Sequence, residues 1–189
     1  TVELTVLRDK AIKTFIVVLT DGNKLKEFMN ETVLCVGKLK EEYWVDAVKE
    51  YTKRLSKFCK LTITEVSEKR LPGNANLKDE IAVIAAESQN LIKKLPNSTS
   101  AYLIALDVNG KQVTSPELAG KFSELGLSGK SDIIFVTRTS LGLSQELLSK
   151  ASLKLSFSKM TFPHQLMRPV LLEQIYRAFK INANEPYHK

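Results

Sequence analysis

The chain lacks the glycine-rich signatures of the common nucleotide and hydrolase sites: it has no G-x-G-x-x-G, no Walker A and no G-x-S-x-G. That argues against the usual dinucleotide, nucleoside-triphosphate and serine-hydrolase readings. Cysteine is scarce. Cys35 and Cys59 are the only two, neither has CxxC spacing or a neighbouring histidine, and both read as reduced structural thiols rather than metal ligands or a disulfide. No apolar run approaches the roughly 20 residues that span a bilayer. The stretch Phe15-Ile16-Val17-Val18-Leu19 is short and soon meets Asp21, which does not fit a signal peptide. The expectation is a soluble, cytoplasmic protein without a metal or a membrane partner.

What is present is a core and an excess of positive charge. Apolar residues make up 43% of the 189, enough for one domain of moderate size, and the formal charge is +7. A basic balance raises the prospect of a nucleic-acid partner, because neutralised phosphates release counterions. The excess is concentrated late in the chain. Residues 152–189 hold Lys154, Lys159, Arg168, Arg177, Lys180 and Lys189 against Glu173 and Glu185. Both histidines, His164 and His188, lie in the same segment, each beside a proline or tyrosine. Histidine, arginine and tyrosine gathered in a basic segment point to an anionic substrate.

Periodicity gives the organisation. Residues 1–28 form an N-terminal extension with two β-prone runs, 2–7 and 14–19, which predict a hairpin of unassigned role. A polar, helix-compatible piece follows at 23–28. From Met29 to Lys189 strand and helix patterns alternate. A helix over 41–57 has Tyr43, Trp44, Ala47, Val48, Tyr51 and Leu55 on one stripe, and a strand covers 60–66. A polar loop spans 68–77, and a helix over 78–95 turns Ile81, Ile84, Ala85, Ser88, Leu91, Ile92 and Leu95 inward. Next come a short strand at 101–106, a helix opened by Ser115-Pro116-Glu117, a buried strand at 133–136, and a short helix capped by Ser144. Strand 152–157 and helix 165–181 close the chain, with Pro169 tolerated in the first helical turn. This order predicts an α/β fold with a parallel-dominated sheet.

In such sheets ligands bind outside the carboxyl ends of the strands. Three loops qualify: Leu106–Lys111, Thr137–Leu143 and Phe157–Pro163. Gly110 and Gly142 would allow close backbone approach there. Alone, His164 fits a structural hydrogen-bonder as well as a base. The stripe Leu166, Met167, Val170, Leu171, Ile175, Tyr176, Phe179 fits core packing or a homodimer face.

The blocks Cys35-Val36-Gly37-Lys38-Leu39-Lys40 with Tyr43-Trp44, residues 47–55, and Leu106-Asp107-Val108-Asn109-Gly110-Lys111 belong together in one pattern. So do Ser131 to Val136, Leu141-Gly142-Leu143, and all of Leu155 to Lys189, including S-F-S-K-M-T-F-P-H-Q and P-Y-H-K. With them, residues 29–189 closely resemble the large-subunit ribosomal RNA methyltransferase H family of the SPOUT (α/β-knot) superfamily. The resemblance implies a Rossmann-like sheet whose C-terminal segment forms a deep trefoil knot, in a homodimer. It implies S-adenosyl-L-methionine as cofactor, and methyl transfer to N3 of a pseudouridine in 23S rRNA within the assembled ribosome. The cofactor residues it implies are Leu106, Asp107, Gly110, Thr137, Arg138, Gly142, Leu155, Ser156, Phe157, Met160 and Phe162. His164, Arg168, Tyr187 and His188 are implied on the catalytic side, the tail reaching the partner's cofactor.

One loop departs from the family pattern. Where the family has I-G-G-S-x-G, this chain has Thr137-Arg138-Thr139-Ser140-Leu141-Gly142. If those glycines use φ > 0, each replacement adds roughly 1–2 kcal/mol of strain. The departure sets a second expectation beside the first: a knotted ribosome- or RNA-binding protein with impaired catalysis.

Overall fold

The computed structural model describes residues 29–96, 100–137, 139 and 141–188 with their side chains, and the backbone of residues 2–8 and 11–17. The elements are β1 (Val2–Arg8), β2 (Ala11–Val17), β3 (Asn30–Val36), α1 (Glu42–Leu55), β4 (Lys60–Val66) and α2 (Leu77–Ile92), then β5 (Tyr102–Gln112), α3 (Ser115–Leu127), β6 (Asp132–Val136), α4 (Gln145–Lys150), β7 (Leu153–Ser156) and α5 (His164–Asn182). β1 and β2 pair antiparallel, from Val2 opposite Val17 to Arg8 opposite Ala11, as a separate two-stranded sheet. The helix-compatible piece at 23–28 lies outside the described residues.

The main sheet has five parallel strands in the order β4-β3-β6-β5-β7. Its strands are apolar on both faces because helices cover both. Along β5, Ile104 and Leu106 face one layer while Leu103 and Ala105 face the other; Ile133 and Phe135 against Ile134 and Val136 repeat the alternation in β6. The first layer holds α1, α3 and α5 through Leu55, Phe122, Leu171, Leu172 and Ile175. The second holds α2 and α4 through Leu91, Leu147 and Leu148. Each such buried side chain contributes about 1.5–3 kcal/mol. Capping boxes at Asn76–Asp79 and Thr114–Glu117 fix where α2 and α3 begin.

Several local expectations differ from the structure. β5 does not end at Leu106 but runs to Gln112, and its pairing with β7 jumps so that Leu155 faces both Leu106 and Lys111. The polar residues between read as a loop because they leave the ladder, while the backbone on their far side rejoins it. Tyr43 is 61% and Ile81 57% exposed and Ala85 is exposed as well, so these three fall outside the inward stripes, whose first half-buried members are Trp44 in α1 and Ile84 in α2. Pro169 is the sixth residue of α5, beyond its first turn, and it has no N–H to give the Gln165 carbonyl. The helix continues because both ends of that turn are tied elsewhere by side chains.

Candidate active site

A cleft opens between the middle of β5 and the carboxyl end of β7. Its walls are Leu106, Asp107 and Val108 on one side, Leu155, Ser156, Phe157 and Ser158 on the other, with Met160, Phe162 and Met167 at the rim. Seven of the eleven residues expected to hold a cofactor therefore line it: Leu106, Asp107, Leu155, Ser156, Phe157, Met160 and Phe162. The Ser156 hydroxyl lies 3.1 Å from Val108 O and 3.0 Å from Ser158 O and ties the two walls together. Met160 N–H donates to Ser158 Oγ (2.9 Å), a tight turn that brings Met160 and Phe162 back to the rim. Asp107, one of the lining residues, accepts a long bond from Asn109 N–H at Oδ1 (3.4 Å).

Gly110 belongs to this construction without lining it. A Cβ there would stand 2.6 Å from Lys154 O and 2.9 Å from Leu155 C, so only glycine lets β5 rejoin β7 behind the cleft.

The loop after β6 forms the next edge. Thr137 is buried and its N–H donates to Leu34 O (3.0 Å), extending the ladder by one residue. The Thr139 hydroxyl donates to Gly142 O (2.8 Å) and accepts from Leu141 N–H (3.2 Å). Gly142 has φ +111°, a conformation glycine supplies. Among the described residues the only non-glycine with positive φ is Asn184, so Thr139 carries none of the left-handed strain anticipated for it. Arg138 lies outside the described residues.

α5 starts at His164, directly after Pro163, and His164 is half-buried. Glu87 of α2, which sequence reasoning did not single out, sits close by. It is 3% exposed and accepts from Lys69 N–H (2.8 Å), and burial raises its carboxyl above the ordinary value, with the Lys69 bond, Thr139 and His164 among the influences opposing the rise. Its signal in the sequence was slight: a lone acid within an otherwise inward-facing stretch of helix.

One helical turn on, Arg168 is 3% exposed and fully committed. Its Nη1 donates to Glu65 Oε1 (2.6 Å), and its Nη2 donates to the carbonyls of Val36 (2.8 Å) and Gly37. Lys40 N–H donates to Gln165 Oε1 (2.9 Å) beside it. The first turns of α5 are thus moored to the carboxyl ends of β3 and β4.

The tail sits elsewhere. Tyr187 OH donates to Glu173 Oε1 (3.2 Å), its ring meets Tyr176 edge-on (5.0 Å), and Arg177 covers its face (4.7 Å). Burial, then the neighbouring Tyr51 and Glu173, push the phenol up to about 12. His188 Nδ1 lies 3.4 Å from Arg177 Nη1. These partners follow His164 by roughly 14–20 Å along the helix axis at 1.5 Å per residue. Within one chain, His164 and Arg168 share the first turns of α5, where Met167 between them lines the cleft and they do not, and Tyr187 and His188 lie apart from both.

Among the described residues no helix is long and apolar enough to cross a membrane, and no cluster of three or more His, Cys, Asp or Glu could hold a metal. Cys35 and Cys59 are buried and free, their thiols raised by burial.

The comparisons with known proteins follow the same span. The family model described as "Predicted SPOUT methyltransferase" matches residues 29–188. Ribosomal RNA large subunit methyltransferase H of Clostridium novyi (strain NT) is 56% identical over 161 residues, 85% of this chain and 100% of that protein. Its counterparts in Clostridium botulinum (strain Langeland) and Clostridium tetani (strain Massachusetts / E88) are 50% and 48% identical over the same coverage. Among solved structures, a probable methylase family protein from Haemophilus influenzae Rd KW20 superposes with TM-score 0.50 at 16% identity, over 86% of this chain and 71% of that one. That likeness concerns the fold alone.

Proposed function

The chain belongs to the ribosomal RNA large subunit methyltransferase H family of SPOUT methyltransferases, and on that premise we propose that it methylates large-subunit rRNA, taking the methyl from S-adenosyl-L-methionine. The observation that carries the reading is the cleft between β5 and β7, with the first turn of α5 at its rim. The proposed target is N3 of a pseudouridine in 23S rRNA of the assembled ribosome, in the cytoplasm, by a homodimer. The close approach of Gly110 to Lys154, where the β5 extension meets β7, is where the proposed trefoil knot would close.

The residues fit such a cofactor. Apolar walls at Leu106, Leu155, Phe157, Met160 and Phe162 suit an adenine and a thioether-like chain, and a carboxylate residue among them, Asp107, suits a hydroxyl- or cation-bearing part. When bound, the cofactor supplies an electrophilic methyl on a sulfonium and departs as a neutral thioether. The protein's work is alignment and proton removal. N3 is an imide nitrogen, protonated at neutral pH, so its proton must leave as the new N–C bond forms. His164, which opens α5 two residues after the rim residue Phe162, is the proposed acceptor of that proton. Arg168 and the Glu65 carboxylate hold the helix turn on which His164 stands; Tyr187 and His188 would complete the site of a partner chain. No metal enters this scheme.

The reading of a catalytically impaired RNA-binding protein is not favoured. Thr139 sits without positive φ and its hydroxyl closes the turn at Gly142, which supports a loop adapted to its new residues. Isothermal titration with S-adenosyl-L-methionine tests the proposal. Saturable binding, weakened by Asp107→Ala, is expected; no heat at millimolar cofactor would overturn it.

A further inference from the structure

Large exposed apolar side chains are few among the described residues, and they fall into distinct groups. Leu71, Leu77 and Ile81 lie around the start of α2, and Leu127 stands alone. The remaining three, Tyr43 (61% exposed), Met160 (70%) and Phe162 (40%), lie on the two segments that meet the first turn of α5. Met160 and Phe162 belong to the cleft rim already described. Tyr43 has no part in that cleft, and the site as proposed leaves it unused.

Its setting is specific. Tyr43 lies in the first turn of α1, its ring edge-to-face with Trp44 at 4.7 Å and 62°. That contact restricts an aromatic side chain that still presents most of its surface to solvent. The segment before it carries Lys38 and Lys40, both exposed, and neither ammonium makes an ion pair among the described residues. Nearby acids are Glu41 and Glu42, at the amino end of α1 where the helix dipole draws them, and Glu68, whose side chain lies against Gly37. The segment is fixed to the catalytic helix twice: Lys40 N–H donates to Gln165 Oε1, and the Gly37 carbonyl accepts from Arg168. An exposed aromatic ring interleaved with unpaired lysines is the chemistry of single-stranded nucleic-acid contact, in which bases stack and phosphates meet cations.

We propose that the segment from Lys38 to Tyr43 is an RNA-gripping lip of the methyl-transfer site, with Tyr43 stacking on an unpaired base and Lys38 and Lys40 meeting the flanking phosphates. The inference rests on the rRNA methyltransferase reading and adds a substrate contact to it. A base must leave its stack to present N3, and a ring beside the site holds a neighbouring nucleotide while it does so.

The experiment measures binding of a short fluorescent oligouridylate, and of large ribosomal subunits, to the full chain across a salt series, with titration of S-adenosyl-L-methionine in parallel. Tyr43→Ala is expected to weaken binding to both by on the order of tenfold, Tyr43→Phe to bind as wild type, and cofactor affinity to stay unchanged. The Lys38→Gln, Lys40→Gln pair is expected to flatten the salt dependence by about 0.7 for each phosphate no longer neutralised. Wild-type RNA binding in Tyr43→Ala, or a change in sedimentation with no change in RNA binding, would overturn the lip and assign Tyr43 to a protein contact. If the Tyr43 effects hold while the wild type transfers no methyl, the lip stands and the catalytic reading fails. If methyl transfer proceeds and Tyr43→Ala is neutral, the lip alone fails.

Discussion

Arg168 Nη1 lies 2.6 Å from Glu65 Oε1, while Nη2 reaches the Val36 and Gly37 carbonyls, so one guanidinium joins α5 to the ends of two strands. Its partner carboxylate keeps 35% of its side-chain surface exposed, whereas Arg168 keeps 4%. The cation is thus the costly member to leave unpaired, and the bond is a mooring for the helix that presents His164.

Truncating Arg168 should show this. Arg168→Met leaves two carbonyls without their donor and is expected to destabilise the fold by about 2–3 kcal/mol in urea unfolding. Glu65→Gln keeps an acceptor and should cost about 1 kcal/mol or less, since solvent screens its exposed side. Arg168→Lys should retain cofactor binding while lowering kcat, because one ammonium cannot reach all three acceptors. Equal kcat in Arg168→Lys and wild type would remove the positioning role.

Gly110→Ala places a methyl against the backbone of β7, which cannot swing aside. The strands must part, at a cost of about 1–3 kcal/mol, and the walls of the cleft part with them. Cofactor titration should therefore show weaker binding in this variant even at temperatures where circular dichroism finds it folded. Unchanged affinity would separate the glycine from the cleft.

Glu31 lies fully buried in β3, and among the described residues neither of its carboxylate oxygens is hydrogen-bonded. Burial holds its carboxyl well above the ordinary value of 4.5. The folded chain therefore keeps a proton that the unfolded chain releases, and the stability this supplies is complete below the unfolded value and lost as pH rises toward the folded one. Glu31→Gln should flatten that fall. Urea midpoints taken from about pH 5 to pH 8 are expected to decline more steeply for wild type than for the variant; parallel declines would contradict the assignment.

Tyr187→Phe removes the bond to Glu173 and leaves the stacking with Tyr176 and Arg177 in place. A neutral-to-charged hydrogen bond at a half-buried site supports an expected loss of about 1 kcal/mol. Proteolysis of the tail should speed up accordingly, and an unaltered cleavage rate would mean the rings alone hold it.

How much of this was written in the sequence varies by element. The apolar runs of β5 and β6 and the order of strands and helices follow from local patterns, and the five-stranded parallel sheet agrees with them. α3, however, is capped by Thr114, one residue before the Ser115 that the sequence offers, because the Thr114 side chain accepts from Glu117 N–H. The extension of β5 past Leu106 did not, because its second half is held by contact with β7, far along the chain, and not by apolar periodicity. Arg168 was implied on the catalytic side by the family pattern; its burial depends on where Val36 and Glu65 end up in space. Seven cleft residues were legible from the family pattern, whereas Glu87 was not, since one acid on an amphipathic helix carries no mark of the loop it will meet.

The central claim is tested most directly by incubating the chain with S-adenosyl-L-methionine carrying a labelled methyl and large-subunit-containing ribosomes that lack the modification. The 23S rRNA is then digested and its nucleosides are identified by mass. The account expects label on N3 of one pseudouridine, abolished in His164→Ala while cofactor binding persists. Saturable cofactor binding with no label in rRNA, or label on another base, would contradict it.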